Sequence, residues 1–64
     1  MNIKANEEYF RYLYELQNSG ETNMFGAGQY LRDTFGIDRK TATDILTFWM
    51  QNYEEIAKEL NIDI

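Results

Sequence analysis

Apolar residues return at intervals of three and four along most of this chain, and nowhere do they alternate with polar ones as a half-buried strand requires. Gly20 and Gly36 divide that pattern into three segments. The spacing predicts an all-α fold, a compact three-helix domain with helices over about 6–18, 23–35 and 39–60. In the first segment Tyr9, Leu13 and Leu16 share a stripe flanked by Phe10 and Tyr12. Glu7, Arg11, Glu15 and Asn18 fall opposite, and Tyr14 falls on the polar side. Asn6 is the expected N-cap, with Glu7 and Glu8 in the first turn, where the helix dipole favours carboxylates.

The second segment opens after Thr22 or Asn23 and turns Met24, Ala27, Gly28, Leu31 and Phe35 inward, with Phe25 and Tyr30 at its flanks. Gly28 lies in the middle of that stripe, so the expectation is that its missing side chain lets another helix approach closely. Gly26 points the other way. The third segment is capped by Asp38 and carries Ala42, Ile45, Leu46, Trp49, Tyr53, Ile56, Ala57 and Leu60 on one unbroken stripe. As a single helix it would reach roughly 33 Å against roughly 20 Å for each of the others, and so overhang them. The overhang predicts a homodimer or larger assembly held through Phe48, Met50, Tyr53, Ile56 and Leu60. A break at Asn52 is the alternative, in which the last turns fold back over the core.

Composition narrows the chemistry. With 64 residues the chain makes one small domain, which buries only about 60% of the surface its unfolded form exposes and gains from association. It has no His and no Cys, so it lacks an imidazole base, a thiolate nucleophile, a disulfide framework and the soft ligands of zinc sites. No enzyme activity, metal or cofactor is expected. The first residues, Met1-Asn2-Ile3-Lys4, run into polar sequence with no apolar run of signal-peptide or membrane-spanning type, and the expectation is a soluble intracellular protein without a membrane. The net charge of -5 is concentrated in the C-terminal half, and a field of that sign repels phosphate backbones.

The stretches SGETNMFGAGQYL and FGIDRKTATDILTFWM, after a Tyr- and Leu-rich first helix, resemble a set of small bacteriophage-encoded proteins of unassigned function. The resemblance covers residues 9–50, and the tail over 51–64 extends beyond it. It implies a phage origin and, with that, the cytoplasm of an infected host cell. It brings no activity, cofactor or site residue.

Four clusters remain to be weighed as candidate binding sites. Gly26-Ala27-Gly28 lacks the third glycine and the preceding strand of a dinucleotide fingerprint, since Leu31 stands where that glycine would be. The expected opening of the second helix nevertheless places helix-start amides around Asn23 and Gly26, where an anionic nucleotide could sit. Residues 30–49 align with a helix-turn-helix whose exposed Arg32, Arg39, Lys40, Thr41 and Thr43 suit phosphate and base-edge contact. Arg39 and Lys40 stand in a first turn, where cations oppose the dipole. Asp33, Asp38 and Asp44, interleaved with them, weigh against nucleic acid. Glu54, Glu55 and Glu59 spread around the last helix, with Lys58 placed to pair with Glu54, and read as a solvated face. Phe48, Tyr14 and Phe25 lie off the apolar stripes and would be contact residues if clustered. Together these features predict a non-enzymatic interaction protein that self-associates and engages a host or phage protein. A helix-turn-helix nucleic-acid binder is the first alternative and a nucleotide binder the second.

Overall fold

The computed structural model of the protein describes residues 1–20 and 26–64. Among them every regular element is helical: a 3₁₀ turn over Lys4–Asn6, then α1 (Glu7–Ser19), α2 (Ala27–Phe35), α3 (Arg39–Gln51) and α4 (Tyr53–Glu59). Thr22, Asn23, Met24 and Phe25 lie outside the described residues, and so does the expected start of the second helix near residue 23; α2 is described over Ala27–Phe35.

The helix boundaries follow local chemistry. Asn6 stands at the start of α1 but makes no side-chain cap bond. Its Nδ2 donates to the Asn2 carbonyl at 2.8 Å, while Asn2 Oδ1 accepts from the Ala5 amide at 2.9 Å, so the capping falls to Asn2, one turn earlier. Gly20 and Gly36 end α1 and α2 at φ 69° and 67°, the left-handed conformation that glycine adopts without a steric cost. Asp38 caps α3 as expected, its Oδ1 accepting from the Thr41 amide at 2.9 Å. At the far end Asn61 is left-handed at φ 57°, and the Ile62 amide reaches the Ala57 carbonyl at 2.8 Å while the Asn61 amide reaches that of Lys58 at 3.4 Å. That paired closure, with Asn in the glycine role, stops α4 and turns Ile62 onto the core.

The expected third helix over 39–60 is two helices. At Asn52 the backbone takes φ -125° and ψ 31°, and both its amide and its side-chain Nδ2 donate to the Phe48 carbonyl at 3.0 Å. A side chain that bonds back four residues competes with the helical ladder. The bend lays α4 back on α1, and the longest dimension of the molecule is 26 Å, too short for the straight rod. No overhang exists, which removes the basis for dimerisation through it. Ile56 and Leu60, expected on that surface, are 0% and 4% exposed in the protein's own core.

The core is assembled from Phe10, Leu13 and Leu16 of α1, Leu31 of α2, Ile45 and Trp49 of α3, and Ile56 of α4. Tyr14, expected on the polar side, is 3% exposed. A stripe drawn for one packing partner misses it, because α1 is covered from a second side by α4. Its ring meets Trp49 at 5.3 Å edge-on and Tyr53 at 5.1 Å, and its hydroxyl donates to the Tyr53 carbonyl. Arg11, held by Glu7 at 2.6 Å, donates through Nη2 to the Leu60 carbonyl at 2.8 Å and ties the end of α4 to α1. Phe48 is likewise no free contact residue, for it packs on buried Phe10 at 5.9 Å. Phe35 takes edge-on contacts from Tyr9 and Tyr12 at 4.8 and 5.4 Å.

Candidate functional site

The most extensively packed pair of helices is α2 and α3, joined by residues 36–38. Their adjoining faces leave an open groove of about 320 Å³. From α2 it is lined by Gly26, Gly28, Gln29 and Arg32, and from α3 by Arg39, Ala42 and Thr43. The helical period explains the set: residues 28, 29 and 32 share one side of α2, and residues 39, 42 and 43 share one side of α3. Ala42, 1% exposed, forms the floor. A Cβ placed on Gly28 would meet nothing within 4 Å. The expectation that this glycine admits a close helix contact is therefore overturned. Gly26 and Gly28 contribute no side chains where the groove is open, and that absence helps keep it open.

Three of the five residues expected at a nucleic-acid surface, Arg32, Arg39 and Thr43, come together here with Gly26 of the expected anion site. Lys40 and Thr41 share the exposed first turn of α3 but do not line the groove. Lys40 is paired with Asp44 at 3.0 Å, both side chains well exposed, a pairing worth little energetically. The ion pairs among the described residues are that one and Arg11 with Glu7, so neither Arg32 nor Arg39 is neutralised by a carboxylate there. Asn23 lies outside the described residues. Gln29, which sequence reading passed over, stands one turn before Arg32 and was discoverable from that spacing alone.

Electrostatically the groove is a cationic notch on an acidic molecule. Two guanidiniums, the Gln29 amide and the Thr43 hydroxyl supply hydrogen-bond donors. The amides at the start of α2 add partial positive charge. Near the notch the Asp38 carboxyl is held below its usual range by the Thr41 hydroxyl and then the Thr41 amide. Such a set can bind an anion. The groove's lining side chains are two guanidiniums, an amide, a hydroxyl and a methyl group, with no carboxylate among them.

The residues expected to bind a partner do not assemble into one face. Of Phe48, Met50, Tyr53, Ile56 and Leu60, Met50 is 44% exposed, Phe48 and Tyr53 are half-buried, and the last two are core. The Tyr53 hydroxyl donates to Gln17 Oε1 at 2.6 Å. Glu54, Glu55 and Glu59 are exposed as expected, but the Lys58 to Glu54 pair is not formed. Among the described residues no group of three or more acidic side chains is placed to hold a metal, and no helix is long and apolar enough to cross a membrane. No protein-family model matches the chain, and no curated protein or solved structure matches it either.

Proposed function

We propose that the protein is a small non-enzymatic binding protein that docks an acidic segment of another protein in the groove between α2 and α3. The observation that carries this reading is the convergence of Arg32, Arg39 and Thr43 on one groove with both guanidiniums unpaired among the described residues. A guanidinium binds a carboxylate bidentately, and a notch of this size with two of them suits one or two carboxylates rather than a long phosphate array. The bacteriophage origin, the cytoplasm of the infected cell and a host or phage protein as partner belong to the same proposal, on the strength of the resemblance over residues 9–50.

Duplex DNA is the second reading, favoured by the placement of Arg39 and Thr43 at the exposed start of a helix that follows a short turn after α2, as in a helix-turn-helix. The net charge of -5 opposes it, and two or three phosphate contacts would give a logarithmic salt slope of only about -2 to -3. A mononucleotide held at the start of α2 is the third reading.

Parallel titrations of the wild type and an Arg32→Gln/Arg39→Gln double variant decide among them, using a deca-glutamate peptide, a duplex DNA oligonucleotide and ATP. The proposal expects saturable peptide binding that the double variant loses while keeping its helical circular dichroism. Duplex binding tighter than peptide binding, with a logarithmic salt slope of about -2 to -3, would replace it with the DNA reading, and a thermal shift with ATP alone would replace it with the nucleotide reading.

A further inference from the structure

The bend at Asn52 leaves three helical hydrogen bonds unmade. The ladder resumes only where the Ile56 amide donates to the Asn52 carbonyl at 2.9 Å, after the Asn52 amide has reached Phe48. Among the described residues the amides of Tyr53, Glu54 and Glu55 donate to no carbonyl of α3. In a straight helix they would meet the carbonyls of Trp49, Met50 and Gln51. The apolar stripe does not change phase across the bend: Ile45, Trp49, Tyr53, Ile56 and Leu60 follow one another at intervals of three or four. The sequence therefore fits two conformations, one bent at Asn52 and one continuous.

We propose that α4 exchanges between two copies of this chain. Asn52 straightens, α3 and α4 fuse into one helix, and each copy's α4 occupies the place on α1 that the other vacates. The occupant is fixed by what that place already holds. Arg11 donates to the Leu60 carbonyl and Tyr53 donates to Gln17, and the buried Ile56, Ala57 and Leu60 complete the core. Every one of these contacts is regained when the same segment arrives from a second chain, and the straight helix adds the missing backbone bonds. Exchange of identical elements is a low-cost route to a dimer, and a one-residue hinge is where it is controlled. This dimer differs from an overhang dimer in burying no surface that the monomer exposes apart from the new crossing at the hinge. It is independent of the ligand of the α2–α3 groove.

The test sets Asn52→Ala against Asn52→Gly. Both remove the side-chain bond to Phe48; alanine favours helix at the hinge by about threefold per chain, hence about tenfold in the dimerisation constant, and glycine disfavours it. Light scattering in about 0.5 M salt, which screens repulsion between two acidic chains, reads that change. Position identifies exchange: residues 18 and 62 line one cleft, and the chain has no native cysteine. An Asn18→Cys chain mixed with an Ile62→Cys chain, each also carrying Asn52→Ala, is expected to give a heterodimeric crosslink with a short bis-maleimide in the dimer fraction. A monomer at every concentration, or a dimer without that crosslink, overturns the proposal. Should Asn52→Ala fail to fold, the two single-cysteine chains without it, refolded from urea at about 1 mM, decide on the same crosslink.

Discussion

Tyr14 is the residue whose role departs furthest from its place in the helical pattern. It joins α1 to α4 through the Tyr53 carbonyl and fills the space beside Trp49. Tyr14→Phe keeps the ring and removes the donor, so it is expected to cost about 1 kcal/mol and lower the melting temperature by about 4–8 °C. Burial raises the Tyr14 phenol above its ordinary value of 10. A folded-state value above the unfolded one contributes stability that is present below pH 10 and lost as pH rises through the folded value. Thermal melts above that pH should therefore fall less steeply in Tyr14→Phe than in the wild type. Asp38 has the opposite sign: its carboxyl is lowered, so its contribution is present above the unfolded value of 3.8 and lost as pH falls below it. Asp38→Ala is expected to melt lower than wild type at pH 7 and to lose that difference in strong acid. The two residues also differ in how legible they were. A cap is a local signal, and Asp38 was readable from its neighbours. The burial of Tyr14 depends on a helix that reaches it from residues far along the chain. Trp49 is read correctly as core, yet its indole Nε1 is buried with no hydrogen-bond partner among the described residues, a detail no pattern of side-chain types contains.

At the scale of elements, stop signals were legible and the bend was less so. Gly20 and Gly36 end helices because glycine alone takes the left-handed backbone freely, and a single sequence displays that. Asn52 carries a weak signal, because asparagine in a helix interior is common and only its bond back to Phe48 distinguishes it. The apolar stripe running through it made one long helix the natural reading. Gly28 was placed on the correct helix and given the wrong reason. A stripe position says that a residue faces a neighbour, not how far away that neighbour is. Because open space lies beside it, Gly28→Ala is expected to stabilise the protein by about 0.5–1 kcal/mol through helix propensity, raising the midpoint of a urea melt. A lower midpoint would mean that the position is crowded after all.

For the whole molecule, the telling contrast is between overall charge and local charge. The chain carries -5, with most of its acids in the C-terminal half, yet two of its arginines stand together without carboxylate partners among the described residues. Net charge was legible and argued against anionic partners. The groove that reverses this locally required the packing of α2 on α3 to bring residues 32 and 39 together. The all-helical class, the cap of α3 and most of the core could be read from periodicity, whereas the groove between α2 and α3 could not. The most direct measurement of the central claim is a ¹H–¹⁵N chemical-shift titration of the intact protein with deca-glutamate. The account predicts saturable perturbations at Gly26, Gly28, Gln29, Arg32, Arg39 and Thr43 that shrink as salt is raised. Perturbations centred on α4 or the Asn52 hinge, or none at any peptide concentration, would contradict it.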